Sequence, residues 1–483
     1  MLNGLINKWK SIPIQAKASV SYTVCSILQK ALSFFTLPLF TRLLTQEQYG
    51  QYSIYTSWSS ILTIFITLNL AYGSFSAAMM RFEHDRERYI AAIQNIVLGL
   101  SAVFLAIYLP FDEWWNKLFE LPTTLVCLMV AEIVTYFSLM CWYGIKRFQY
   151  KYISVIALTM VTSVAAPTLA YVLVTASEEK GYARIFGYAL VTVAVGAALF
   201  VSNAIKGKGG FSKKYIRYAL SFNVPLIIYY LSQVVFNQSD RIMIGHMLED
   251  GTAKAGMYNV AYSLATLLIF VLNAINNSYV PWFYGKIKEG KEKENRNVAN
   301  GIALLMAFLL LGVIALAPEI ILLMAGEAYA QAAWVVPPVA MSILLLFYSQ
   351  LFINVEFYFE EKTLLVWGSV GSALLNVLLN IAFIPLFGFV AAGYTTLVSY
   401  IAFAVANYFT MRSILKKNGF TLEAFDLKAL ILLFLAFAAL SFTAMALYGL
   451  PWIRYGIIAA VLLVIAIMHK RVLAFVKGVL SKK

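Results

Sequence analysis

Charge is what this chain of 483 residues has least of. Asp, Glu, Lys and Arg make up 12%, about half the share that a water-facing globular surface carries. That scarcity excludes a soluble enzyme and a disordered protein. Cysteine is nearly absent too: Cys25, Cys127 and Cys141 lie apart in apolar stretches, so no disulfide framework or thiol metal site is implied. The three histidines, His84, His246 and His469, have no metal-ligand spacing. HExxH, CxxC and GxSxG are missing, which leaves hydrolase and redox chemistry without a carrier. An ATP-binding loop is missing as well. The nearest string ends in Gly290, Lys291 and Glu292, with Glu292 where a magnesium-binding hydroxyl is needed. No cofactor is expected, and the chain is not read as an enzyme.

What is present is apolar. Hydrophobic residues make up 61% and aromatics 15%, and a membrane span needs about 20 apolar residues in a row. Apolar runs place about fourteen spans, near 19–40, 55–79, 89–110, 121–143, 153–175, 185–205, 218–240, 258–283, 298–324, 332–355, 363–384, 389–411, 429–447 and 452–468. The fold class is therefore an all-α integral membrane protein. Residues 1–17 read as a short basic, amphipathic lead without a signal-peptide cleavage pattern.

A net charge of +14 would point to nucleic acid in a soluble protein. Here the charges sort by side: loops on the side of the termini hold about 29 of the 37 Lys and Arg, and the opposite loops about 7. Short basic loops stay in the cytoplasm, so both termini are expected there. The basic loops face membrane lipid, and nucleic acid is not expected as a partner.

The chain repeats itself. After the first span come Thr41, Arg42, Leu43 and Leu44, then Gly50, Tyr52 and Ser57. After the seventh come Gly245, His246, Met247 and Leu248, then Gly256, Tyr258 and Ser263, at an offset of about 206. Six spans separate the copies, so two six-helix lobes share one orientation. The expected division is 1–205 for the first lobe and 206–217 for a basic, glycine-containing linker. Residues 218–411 form the second lobe, and 412–483 hold two further spans and a basic tail.

Polar residues inside the spans are the candidate site, because each intramembrane charge is costly. Lys30 lies near mid-span, with Ser26, Gln29 and Ser33 at helical spacing, a set suited to a phosphate or pyrophosphate group. The alternative reading is an ion pair with Glu132. Gln233, Asn237 and Arg241 fall at i, i+4 and i+8 beside Asp240, either as a cavity face or as an interfacial Asp240–Arg241 pair. Stripes through Thr56 and Ser60, and through Asn273 and Asn277, point to a hydrated cavity in each lobe or to helix-to-helix hydrogen bonds. Glu132, Asp240 and Glu356 are the candidate ion-pair or coupling carboxylates, for a proton or Na⁺.

The layout, with the string from Pro38 to Gly50 and the string from Asp240 to Gly245, resembles polysaccharide biosynthesis transporters. These are Wzx-type flippases of lipid-linked oligosaccharides, in the superfamily of multidrug (MATE) exporters and lipid II flippases. The resemblance covers nearly the whole chain. It implies alternating-access transfer of an undecaprenyl-pyrophosphate-linked repeat unit for surface polysaccharide such as O-antigen, with a polysaccharide polymerase and a chain-length regulator as partners. It also implies a groove for the polyprenyl tail at the last two helices. Two rival readings are a cation-coupled multidrug exporter and a non-transporting partner of a polysaccharide assembly complex; Lys30 argues against an acidic drug cavity.

Overall fold

A computed structural model describes residues 13–361, 363–420 and 422–467. The first twelve residues and the basic tail lie outside the described residues. Among the described residues the backbone is helical with short connections and no strand, as hydrocarbon demands of a chain that must satisfy its own amides.

The long helices are α1 (Ile14–Leu43), α2 (Gln46–Thr67), α3 (Arg86–Tyr108), α4 (Thr123–Phe148), α5 (Tyr152–Ala176), α6 (Lys180–Lys206) and α7 (Ile227–Met247). They continue as α8 (Gly251–Thr266), α9 (Leu268–Lys288), α10 (Asn295–Ala315), α11 (Val336–Tyr358), α12 (Thr363–Phe387), α13 (Val390–Lys417), α14 (Leu427–Ala446) and α15 (Pro451–Ile467). Among the described residues, twelve stretches are long and apolar enough to cross a membrane. The two expected spans outside that set are α2 and α15, and both are helices. The eighth expected span is α8 and α9 with a break at Leu267.

Several expected boundaries shift. The second span begins at Gln46 rather than near residue 55. Its start is a capping box: the Thr45 hydroxyl accepts from the Gln48 amide at 3.2 Å, and the Gln48 side-chain oxygen accepts from the Thr45 amide at 3.1 Å. The polar run from Gln46 to Gln51 reads as a loop by hydropathy, yet the cap makes it the first turns of the helix. Leu68 and Asn69, both with positive φ, end that helix at Thr67, and residues 75–81 form a separate short helix. The ninth expected span likewise divides into α10 and a short helix over Ala317–Ala325. The two copies of the repeat begin their helices at matching positions, Gln46 and Gly251.

The described chain forms two compact units, Met1–Ile242 and Met243–Lys483. This boundary falls inside α7, whereas the repeat places a linker at 206–217. In the first unit α6 packs against α4 and α5, and α1 lies on α5. Glycine makes the α6 contacts close: a Cβ on Gly187 would overlap the Ala170 backbone, and one on Gly196 would overlap the Thr135 backbone. A core of buried side chains including Tyr89, Ile93, Met129 and Phe137 joins α3 to α4. In the second unit α11 is buried along nearly its whole length and packs on α13, with α12 against the same helix and α10 on α14.

Gly196→Val has to push the Thr135 backbone aside. It is expected to cost about 1–3 kcal/mol, read as a lower midpoint of thermal unfolding in detergent. Gly99→Ala, whose added Cβ meets nothing within 4 Å, should leave the midpoint unchanged or raise it slightly.

Candidate functional site

The first unit holds a cavity of about 380 Å³ among α1, α4, α5 and α6, within the size range of small-molecule sites. At one end stand Tyr22 of α1 and Arg147 of α4, with the guanidinium 5.6 Å from the Tyr22 ring centre. At the other end stand Thr36 of α1 and Tyr188 of α6. Tyr22 and Thr36 are fourteen residues apart on one helix, so the cavity runs for roughly 20 Å along it. Arg147 belongs to the Lys- and Arg-rich side of the chain, one residue from the end of α4.

The walls between those ends are hydroxyl, amide and phenol. Ser26, Gln29 and Ser33 come from α1, Thr159, Thr162 and Ser163 from α5, and Tyr136 and Tyr143 from α4. Five of the eleven lining hydroxyls have their protons committed. Ser33 donates to the Gln29 carbonyl at 3.0 Å, Thr36 to Ser33 at 2.8 Å, Thr162 to Leu158 at 2.9 Å and Thr192 to Tyr188 at 3.2 Å. Thr159 donates to the Tyr143 oxygen at 3.2 Å. Their oxygens keep lone pairs free to accept, so the wall is richer in acceptors than in donors. The described lining residues include Arg147 as a cation and no carboxylate.

Sequence reasoning locates three of these lining residues: Ser26, Gln29 and Ser33 do share a face, and that face lines the cavity. Lys30 does not line it. One residue further on, about 100° around the helix, its side chain is exposed on the flank of α1. Glu132 takes a hydrogen bond from the Tyr55 hydroxyl at 2.8 Å, which ties α4 to α2. Thr56 donates to the Tyr52 and Ser53 carbonyls at 3.0 and 2.9 Å, and Ser60 donates to Thr56 at 2.8 Å. The α2 stripe thus satisfies its own helix and stands outside the cavity.

The α7 ladder folds onto its own backbone in the same way. Asn237 donates to the Gln233 carbonyl at 2.7 Å, and Arg241 donates to the Asn237 carbonyl at 2.5 Å. Asp240 and Arg241 are both buried. In the second unit Asn273 and Asn277 are exposed on α9, while Asn276 between them donates to Gln350 of α11. Glu356 is fully buried near the end of α11, and neither carboxylate oxygen has a hydrogen-bond partner among the described residues. A buried amide and hydroxyl cluster joins α12 to α13: Asn376 donates to Thr396 and Asn380 to Asn376, each at 3.3 Å, and Thr395 donates to Asn380. Among the described residues no group of three His, Cys, Asp or Glu is placed to hold a metal ion.

The sequence reading missed two arginines. Arg147 counts there as one of the basic-loop charges, and Arg184 as one of the few on the opposite side. The available signal for Arg147 was the helical spacing of Tyr136, Tyr143 and Arg147 on one span, which puts the charge on the same face as two phenols.

Known proteins resemble the chain at three levels. The sequence model of a family described as polysaccharide biosynthesis protein matches residues 16–285. A Haemophilus influenzae (strain ATCC 51907 / DSM 11121 / KW20 / Rd) protein, "Lsg locus putative protein 1", is 26% identical over 290 residues, 57% of this chain and 67% of that protein. Among solved structures, the lipid II flippase MurJ in an inward closed conformation superposes with a TM-score of 0.66 at 12% identity, over 92% of this chain and all of that one. An inward-facing MATE-family multidrug resistance transporter superposes with a TM-score of 0.64 at 13% identity, over 83% of this chain and 99% of that one. At those identities the two superpositions establish the fold: the chain has the multi-pass architecture shared by these two transporters.

Removing the Tyr55 hydroxyl leaves the half-buried Glu132 carboxyl without that hydrogen bond. Tyr55→Phe and Glu132→Gln are each expected to cost about 1–3 kcal/mol. The double variant should cost less than the two added together, which a double-mutant cycle of unfolding midpoints measures.

Proposed function

The chain belongs to the polysaccharide biosynthesis protein family, and from that membership we propose that it flips an undecaprenyl-pyrophosphate-linked oligosaccharide repeat unit to the outer leaflet of a bacterial plasma membrane. The basic loops mark the cytoplasmic side, so both termini are cytoplasmic and the Arg147 end of the cavity is the entrance. The cycle is alternating access, and the polyprenyl tail stays in lipid while the headgroup crosses.

The observation that carries this reading is the chemistry of the first-unit cavity. Sugar hydroxyls are donors, and the wall offers serine, threonine and tyrosine oxygens to accept from them. A diphosphate needs a planar, permanently charged donor set, and Arg147 supplies one at the entrance. A cationic drug would want a carboxylate in the wall, and the described lining contains none. Coupling to a proton or Na⁺ belongs to the half-buried Glu132 and the buried Glu356 in this reading, and no cofactor takes part. A polysaccharide polymerase and a chain-length regulator are the partners that would consume the flipped unit.

Complementation of flippase-deficient bacteria, over strains that make different repeat units and at matched membrane expression, tests the reading. Wild type should restore surface polysaccharide in at least one strain. Arg147→Ala should cut that export by about tenfold and accumulate lipid-linked intermediate, the effect of losing one charge-assisted contact. Lys30→Ala, outside the cavity, should retain most export. Failure of the wild type in every strain, with resistance to cationic drugs gained instead, would overturn the reading in favour of a multidrug exporter.

A further inference from the structure

Past the end of the cavity opposite Arg147, aromatic rings gather around a second guanidinium. One helical turn beyond Thr36 on α1 comes Phe40, and one turn beyond Tyr188 towards the start of α6 comes Arg184. The Arg184 guanidinium carbon lies 3.9 Å from the ring centre of Tyr52, 4.4 Å from that of Tyr49 and 4.6 Å from that of Phe40. Tyr188, which lines the cavity, bridges the two regions: its ring centre is 5.9 Å from Phe40 and 5.7 Å from Tyr52. The cage is therefore the next layer past that end of the cavity.

Arg184 is only 5% exposed, yet its Nε and Nη1 atoms are buried without a hydrogen-bond partner among the described residues. A guanidinium that serves only to anchor helices in a membrane protein spends its donors on carbonyls or carboxylates, because an unmade bond to a buried charged donor is expensive. Here the rings offer attraction to the charge while leaving the N–H groups of two nitrogens unused. A phosphate oxygen uses both the charge and the N–H groups.

We propose that Arg184 is the exit-side anion site of the first unit: the rings hold its guanidinium while that end is closed, and the phosphate group of the substrate replaces them as it opens. This rests on the transport reading for its cargo, and it adds a second phosphate station beyond the entrance cation. The headgroup then passes between two guanidiniums at opposite ends of the hydroxyl-lined cavity. Closure is restored when the phosphate leaves, because the rings again become the best partner the cation has.

The test uses the full chain in liposomes, with Cys25, Cys127 and Cys141 changed to Ser and either Thr36→Cys or Thr192→Cys as reporter. A membrane-impermeant maleimide is added on the side away from the basic loops, and the probes are farnesyl pyrophosphate, farnesol and inorganic pyrophosphate. Farnesyl pyrophosphate should raise labelling at least about fivefold over farnesol, a shift that needs only modest preference for the open state. Arg184→Gln should abolish the rise and Arg184→Lys should keep part of it. An equal rise with inorganic pyrophosphate assigns the site to the phosphate alone, and a rise with farnesyl pyrophosphate only assigns it to the lipid-linked form. An unchanged response in Arg184→Gln, or no response in the wild-type background from either reporter, overturns the site. So does full labelling of Arg184→Gln without any probe, which would make the cage a plug. If wild type complements export while Arg184→Gln still answers the probe, the site fails and the transport reading stands; if complementation fails while the response depends on Arg184, the site stands and the cargo reading fails.

Discussion

No water competes for a polar group inside hydrocarbon, so every donor on a spanning helix must find its acceptor within the protein, and the rest of the structure follows from that. Backbone amides meet it by helix formation. Hydroxyls meet it by turning back on their own helix, as Thr56, Ser60, Thr63 and Thr67 do along α2. Longer side chains meet it across helices, as Tyr55 does with Glu132 and Asn276 with Gln350. The first unit is where the rule relaxes: the cavity keeps acceptor oxygens in reserve, and Arg184 beyond it keeps donors without a partner among the described residues.

That rule also explains how far the sequence could be read. The spans and the repeat were legible because apolar run length and loop matching are one-dimensional signals. The start of α2 was not, since a capping box makes a polar string helical and hydropathy cannot see it. The polar stripes are present as stripes, apart from the first-unit cavity. The α2 hydroxyls donate to carbonyls of their own helix, and on α7 Asn237 and Arg241 each donate to a carbonyl one turn back.

The cavity itself was half legible. Ser26, Gln29 and Ser33 emerged from helical spacing, but Lys30, the charge that drew attention to them, lies on the flank. Arg147 was invisible as a site residue because a cation at a span end reads as a topology signal. Its place depends on α5 and α6 closing around it, which no local pattern encodes. Arg184 was hidden for a related reason: Phe40, Tyr49 and Tyr52 are more than 130 residues away in sequence and meet it only through the packing of α6 beside α1 and α2.

One property of the cavity wall has a bearing on how such a protein can change over time. Because the Ser33, Thr36, Thr162 and Thr192 protons are held by helix carbonyls, these residues present rotationally fixed oxygens on three helices rather than a template of matched donors and acceptors. For the oligosaccharide cargo proposed above, a ring that inverts one hydroxyl still finds an acceptor within reach, so an epimer is penalised little. Discrimination then falls on the number of donors and on the charged group, and under that proposal a lineage can remodel its surface glycan without first rebuilding the protein that carries it.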